Sequence, residues 1–454
     1  MNGNEIADGK SRRKRILIPY FWSYYLFDYM KLLVPQLSKD GFDVVVLTYQ
    51  ETVVESLSGC QVEVRWVPAG FRYLIARSNS VPHRVCLWLA AWCWGLVLRK
   101  QYDFVILPWD NRPVWYVLSC VMPSLTCHNT TELIDVDLTL EKERYRGWDS
   151  SNSLLHKVLL SIDALLGGRF LPRLLGQMTQ FYPKQLVVDR LMGYRAQNFL
   201  QGFSKVDYFT VSGHKIKDNC RVLGIDEGKI TVTGNPNYDT LSHVRKTFDT
   251  IERERFRENL GIKNNSMLFS FFLSPSSFSE AQRTEVLRVV GEIDAAIADA
   301  CFVLKFHPKT RKEDPVAFKS NLESLGERLL IETVFRGDEH NAHLVLASDY
   351  VVQKQSTVGF IAMLLGKNII SYNLQDTDYE DDMYKVLDAS VHVESIDELR
   401  AVLRDIRNGD FVDLKGKRRD ACHKFCLDTC EANKNISKVV QRHFDSQSRA
   451  VKVT

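Results

Sequence analysis

The sequence predicts an α/β protein made of two parallel-sheet domains in series. Three observations carry this. Short apolar runs alternate with helix-length segments through both halves of the 454-residue chain. The alternation breaks at Gly234-Asn235-Pro236 and resumes after the charged stretch from Arg245 to Asn259. Several apolar runs also end abruptly in polar groups, which is how buried parallel strands deliver ligand-binding residues to one edge of a sheet.

In the first half, strands are expected over Arg15 to Pro19, Val44 to Thr48, Phe104 to Leu107, Ser124 to Cys127, Val206 to Val211 and Lys229 to Thr233. Helices are expected over Phe27 to Lys39, Val114 to Val121 and Lys215 to Leu223, with Gly41-Phe42-Asp43 as a turn. In the second half the strands are Met267 to Leu273, Cys301 to Phe306, Arg328 to Ile331, Tyr350 to Val352 and Asn368 to Tyr372. Helices begin near Glu280 and cover Val358 to Leu365. Repeated β–α–β units imply parallel sheets with helices on both faces. The expected division is residues 1–236, residues 237–430, and a C-terminal helix and tail over 431–454, with ligand in the cleft between the two domains.

Composition narrows the function. The chain is 45% hydrophobic and 25% charged, as a folded globular protein is. Its net charge of +3 gives no case for nucleic acid as a partner. The cluster Lys10-Ser11-Arg12-Arg13-Lys14-Arg15 reads as a solvated tail, or as an arm touching an anionic membrane. Ile16-Leu17-Ile18 before Pro19 is too short for a secretory signal. Ten scattered cysteines suggest a reducing compartment, with thiols buried as small hydrophobes, so a cytoplasmic location is expected. Cys422, Cys426 and Cys430, with His423, mark one helix face and read as packing rather than a metal site. Val85 to Leu98 is apolar and carries three tryptophans, but at about fourteen residues it falls short of the roughly twenty that cross a bilayer. A buried or interfacial helix is expected there. Leu154 to Leu175 reads as a helix packed on its own domain, or as a basic amphipathic pair lying on a membrane.

The chemistry gathers at two strand ends. One apolar run leads into Lys305-Phe306-His307-Pro308-Lys309, and another into Gln355-Ser356-Thr357. A histidine, two lysines and two hydroxyls beside the backbone N–H groups of the next helix suit a phosphate or diphosphate. Ser274-Pro275-Ser276-Ser277 is a third polar strand-end loop, with helix capping as its alternative role.

Together these features resemble the GT-B fold, two Rossmann-like domains facing across a cleft. Lys229-Ile230-Thr231-Val232-Thr233-Gly234-Asn235-Pro236-Asn237-Tyr238-Asp239 resembles the passage into the second domain of bacterial surface-polysaccharide transferases and UDP-N-acetylglucosamine 2-epimerases. His307-Pro308 resembles the His-Pro motif of polysialyltransferases, capsule Kdo transferases and CDP-glycerol glycerophosphotransferases. Ser356-Thr357 followed by Ala362 and Leu365-Gly366-Lys367 resembles their Ser-Ser/Thr motif. The resemblance implies a capsule or lipopolysaccharide glycosyltransferase, inverting, and needing neither metal nor other cofactor. Its donor would be a nucleotide-sugar (a CMP-sugar first), its acceptor a surface glycan or lipid-linked sugar, and its place the inner face of the cell membrane. Lys305, His307, Pro308, Lys309, Gln355, Ser356, Thr357, Ser274, Ser276 and Asn235 would bind the donor. His307 would also stabilise the departing nucleotide.

Inverting transfer needs a base for the acceptor hydroxyl. Glu132, with His128 nearby, and Asp110 both follow strands of the first domain; Asp28 and Asp135 rank behind them. Helix capping is the alternative role for each. The acidic run Asp376 to Asp382 reads as solvated, and Tyr20 to Tyr25 either stacks on acceptor sugars or packs. Two other readings stand beside transfer: an epimerase-like isomerase, and a non-catalytic assembly subunit of the same fold. The 2-epimerases follow their serine with a Glu-Glu pair, whereas Val358-Gly359-Phe360-Ile361-Ala362 has no acidic residue.

Overall fold

The computed structural model describes residues 12–20, 27–60, 62–77, 81–108, 113–128, 205–222, 225–263, 265–273, 280–307, 310, 313–333, 337–354, 356, 358–374, 388–426 and 431–453. Seven short strands form the first sheet: β1 (Arg15–Tyr20), β2 (Asp43–Thr48), β3 (Glu63–Trp66), β4 (Phe104–Leu107), β5 (Ser124–His128), β6 (Tyr208–Val211) and β7 (Ile230–Val232). Their order is β3-β2-β1-β4-β5-β6-β7, every pair parallel. The second sheet holds β8 (Met267–Leu273), β9 (Ala300–Phe306), β10 (Leu329–Glu332), β11 (Tyr350–Gln353), β12 (Asn368–Tyr372) and β13 (Val391–Val393). Its order is β10-β9-β8-β11-β12-β13, again parallel throughout. Each half therefore winds outward from a first central strand, then crosses back to the other side. The strand order reverses between β1 and β4, and between β8 and β11. Such reversal points are where open α/β sheets leave a crevice for ligand.

The strands are apolar on both faces because both faces are covered. Ile16, Ile18, Val44, Val46 and Ile106 lie against Leu33 and Leu37 of α1 (Phe27–Lys39). Leu17, Val45, Val105 and Leu107 lie against Leu87 and Trp88 of α4 (Val81–Arg99) and Trp115 of α5 (Pro113–Val121). Two shorter helices, α2 (Glu51–Ser56) and α3 (Ala69–Ala76), precede α4, and α6 (His214–Val222) joins β6 to β7. Each fully buried side chain of this size contributes about 1.5–3 kcal/mol.

In the second half, α7 (Asp239–Thr247) and α8 (Thr250–Asn259) lead into the sheet. They are followed by α9 (Glu280–Ala296), α10 (Glu313–Asn321), α11 (Gly337–Ala347), α12 (Val358–Leu364), α13 (Ile396–Asn408), α14 (Lys415–Cys426) and α15 (Ala432–Val453). One buried cluster runs from Phe209, Val211 and Ile216 of the first half to Leu268, Phe272, Phe360 and Cys422 of the second.

The Gly-Asn-Pro-x-x-Asp passage has a structural use. Gly234 turns at φ 92°, and Asn235 Oδ1 accepts the Asn237 N–H at 3.1 Å. Asp239 then receives the N–H groups of Ala432 and Asn433 and the Asn433 side-chain amide, all at 2.8 Å. Burial pushes the Asp239 carboxyl up while these donors pull it down; the net direction is up. Fastened there, α15 returns to the first sheet, where Ile436, Val440 and Phe444 enter the core beside Phe104. The C-terminal helix is thus part of the first half's core.

Several elements differ from expectation. The edge strand β3 was not foreseen because Glu63 and Arg65 break its apolar pattern, and β13 is only three residues long. Helix α13 has clear signals in the sequence: a buried stripe of Ile396, Leu399, Leu403 and Ile406, the Ser395 cap, and Gly409 at φ 80° ending it. The cysteines divide. Cys127, Cys220, Cys301 and Cys422 are buried, but Cys86 and Cys93 are exposed on α4. Burial pushes the Cys127 and Cys220 thiols up to about 12, so neither is a nucleophile at neutral pH. Among the described residues no helix is long and apolar enough to cross a membrane.

Candidate functional site

The carboxyl edge of the second sheet carries a polar row. Strand register places Glu332 beside Lys305, Lys305 beside Phe272, Phe272 beside Gln353, Gln353 beside Ser371, and Ser371 beside His392. Lateral neighbours in a sheet share a face, so five polar residues and one phenylalanine line one side of this edge. All six strands contribute.

The row is tied together within itself and to α11. Lys305 Nζ lies 2.7 Å from Glu332 Oε2, and His340 Nε2 of α11 lies 2.7 Å from Glu332 Oε1. Burial opposes ionisation of Glu332, but the hydrogen bonds and charges of His340 and Lys305 outweigh it and hold the carboxyl down at about 2. Gln353 Oε1 accepts the Ser356 N–H at 2.8 Å. Ser371 Oγ bonds Ser390 Oγ at 2.7 Å and His392 Nδ1 at 2.9 Å. On the other face, the buried Glu285 of α9 grips Lys354 Nζ at 2.7 Å and the Leu374 N–H at 2.6 Å. It thereby joins the chain leaving β11 to the chain leaving β12.

Past this row stand two of the predicted donor-binding residues, His307 and Ser356. His307 follows β9 directly, half-buried, and its carbonyl accepts the Thr310 N–H at 2.9 Å to close a tight turn. Ser356 follows β11 and caps α12: its hydroxyl accepts the Val358 N–H at 3.3 Å, its carbonyl the Gly359 N–H at 3.0 Å. A hydroxyl that accepts in this way still has its own O–H to give, so capping and phosphate binding are compatible. The two residues flank the end of β8, at the reversal of strand order. Nearby, Gln353 Nε2, Thr310 Oγ1 and Asn373 Oδ1 are buried with no hydrogen-bond partner among the described residues. Such atoms in a native fold call for a water, ion or ligand.

The other predicted residues divide by place. Lys305 is engaged with Glu332, so its ammonium reaches a phosphate only by leaving that carboxylate. Asn235 is buried in its turn, where its Oδ1 accepts the Asn237 N–H and holds the turn that feeds α7. His128 ends β5, with its side chain outside the described atoms. Asp110, Glu132, Asp135, Ser274, Ser276, Pro308, Lys309, Gln355, Thr357, the run Asp376 to Asp382 and the stretch Leu154 to Leu175 lie outside the described residues, as does the side chain of Asp28. Two Asp-x-Asp spacings, Asp135/Asp137 and Asp376/Asp378, fall there as well.

Sequence reasoning missed Glu332, His340, Gln353, Ser371, His392 and Glu285. Gln353 and Glu332 each stand one residue beyond a predicted strand end, which was their signal. Glu285 and His340 sit in helices with no motif around them.

Three solved structures show the fold. The UDP-N-acetylglucosamine 2-epimerase of Neisseria meningitidis, bound to UDP-GlcNAc, superposes with a TM-score of 0.57 at 12% identity, over 94% of this chain and 100% of that one. A glycosyltransferase from Rickettsia africae gives 0.54 at 14% identity, over 95% and 99%. The Anabaena protein HepE, in complex with UDP-glucose, gives 0.51 at 12% identity, over 94% and 99%. The fold is GT-B across nearly the whole chain. No protein-family model matches the sequence, and a search of curated proteins finds no match.

Proposed function

We propose that this protein is a GT-B enzyme acting on a nucleotide-sugar, and that it transfers the sugar to a surface polysaccharide or lipid-linked glycan. The observation that carries the reading is the pair His307 and Ser356, standing past β9 and β11 on either side of β8, above buried polar atoms that lack partners among the described residues. The donor's phosphate sits there. His307 pairs with it, the Ser356 and Thr357 hydroxyls donate to it, and the growing charge on the departing nucleotide is stabilised by donors already in place. Glu132 or Asp110 from the first domain, with His128 close in sequence, takes the proton of the acceptor hydroxyl.

Isomerisation of a UDP-sugar is the second reading, favoured by the epimerases among the structural neighbours. The turn after Ser356 speaks for transfer. Gly359, Phe360, Ile361, Ala362, Met363 and Leu364 are all buried, and no carboxylate is offered to a ribose from this helix.

Two measurements test this. The first is thermal stabilisation by CMP, CDP, UDP, GDP and ADP, with and without magnesium, since a ligand that binds only the folded state raises the melting temperature. A shift with one pyrimidine nucleotide is expected; CMP supports the capsule-type donor, UDP the donor class bound by HepE. The second is product analysis. A transferase releases free nucleotide only when acceptor is present, whereas an epimerase returns an isomeric sugar still attached to its nucleotide.

A further inference from the structure

Helix α4 is apolar on every side, yet only one side is covered. Leu87, Trp88, Ala91 and Leu98 are buried against the first sheet and α5. Gly95 brings the two helices close: a Cβ there would lie 3.2 Å from Val121 Cγ2 and 3.3 Å from Val117 Cγ1. The opposite face is open. Leu89 is 56% exposed, Leu96 52%, Val97 51% and Val85 37%, with Cys86 and Cys93 exposed among them. At 100° per residue these side chains fall on one arc, and no charged residue interrupts it before Arg99. A surface helix normally carries its charges on that arc.

The neighbouring helix α3 extends the surface. Phe71 joins the helices by packing against Trp94, with ring centroids 4.4 Å apart and planes tilted by 57°. Tyr73 is exposed at the join with α4, its ring 5.7 Å from His83, and Trp66 is exposed at the end of β3. Between Glu63 and Asp103 the sequence has no acidic residue and six cations: Arg65, Arg72, Arg77, Arg84, Arg99 and Lys100. Arg72, Arg77, Arg99 and Lys100 are exposed.

We propose that the outer face of α3 and α4 is a docking surface for an anionic lipid bilayer. A helix with aliphatic side chains on its outer arc, tryptophan and tyrosine at its margins and cations at its ends lies in the plane of a membrane interface. The arginines and lysine then meet lipid phosphates while Val85, Leu89, Leu96 and Val97 enter the acyl boundary. Charge decides against a second copy as the occupant, because self-association would set this all-basic surface against itself. The proposal is independent of the donor site, which lies in the other half of the chain.

The test is sedimentation of the full chain with vesicles of phosphatidylcholine, with and without phosphatidylglycerol. Wild-type protein should sediment with the anionic vesicles, fall off as salt is raised, and bind neutral vesicles about ten-fold less. Leu89→Asp with Leu96→Asp should weaken sedimentation at least about ten-fold on both vesicle types, since exposed positions tolerate charge without unfolding. Arg99→Glu with Lys100→Glu should weaken it only on anionic vesicles. The nucleotide-dependent melting shift should be the same in all three proteins, which keeps this test separate from the donor reading. Wild-type protein that stays in the supernatant overturns the proposal, as does a Leu89/Leu96 variant that sediments like wild type. A concentration-dependent dimer in sedimentation velocity that the Leu89/Leu96 change dissolves would assign the face to a second copy, and also overturns it.

Discussion

The two edges of the second sheet are built from similar residues and arranged in opposite ways. At the amino edge Asp349, Arg253, Arg257 and Lys367 all have protein partners, although Arg257 Nε is buried without one among the described residues. Asp349 receives Arg253 at 2.6 Å, the buried Arg257 at 3.2 Å and the Leu268 N–H at 2.8 Å. Arg257 also donates to the carbonyls of Ala347, Lys263 and Ser266. Lys367 Nζ donates to the Ser348 carbonyl at 2.8 Å, and Ser348 Oγ to Ser270 Oγ at 2.6 Å. At the carboxyl edge, Gln353, Thr310 and Asn373 each keep a buried atom without a partner among the described residues. Paired charges hold a fold together, whereas uncharged polar atoms left open at a strand-order reversal leave room for a ligand. The amino edge should therefore govern stability and the carboxyl edge binding.

The largest expected effect tests that division directly. Asp349→Ala strips the buried Arg257 of its carboxylate and should lower the free energy of unfolding by about 3 kcal/mol in a urea titration. Nucleotide stabilisation, measured well below the melting point, should survive. If Asp349→Ala barely changed unfolding, the amino edge would lose its structural role. His307→Ala should show the reverse: unfolding changes by less than about 1 kcal/mol, while nucleotide affinity falls by about ten-fold or more. Adding Ser356→Ala should weaken affinity further, and nucleotide binding at the wild-type level in both proteins would remove the site from this edge.

The two edges should also titrate at opposite ends of the pH scale. Glu332 is held at about 2, below its unfolded value near 4.5, so the folded state binds fewer protons between those values. Its contribution is complete above pH 4.5 and is lost as pH falls towards 2, on the order of 2–3 kcal/mol. Lys305→Met should move that acid loss to higher pH. Burial, with Arg253 close by, lowers Lys367 to about 8. The unfolded chain then holds more protons between pH 8 and 10.5, so stability should rise with pH across that window and the rise should vanish in Lys367→Met. The smallest expected effect is at the passage between the halves. Asp239→Ala removes the cap of α15 and should cost about 1 kcal/mol, with nucleotide binding unchanged.

Much of the site's frame could be read from the chain, and little of its wiring. His307 and Ser356 were legible because His307 directly follows an apolar strand and Ser356 stands three residues past another, and parallel strands all end on one edge. Lys305 was legible as a strand-end lysine, but not its partner, since Glu332 lies on the neighbouring strand β10 and the two meet only through register. Asn235 shows the same limit from the other side. Its motif pointed to the nucleotide, while its side chain closes the turn before Asp239 and the distant helix α15.

By itself the sequence determined that this is an α/β protein in two halves, with polar groups at particular strand ends and one helix apolar all round. These follow from patterns among residues within a turn or a strand of each other. Only the tertiary structure decided the strand order, and with it the reversal between β8 and β11 that sets the strands before His307 and Ser356 on either side of β8. It alone decided which polar groups found partners and which face of α4 was left uncovered. The physical reason is that a residue's hydrophobicity states what it would gain by burial, whereas whether it is buried, and beside what, depends on strands and helices brought together from far along the chain.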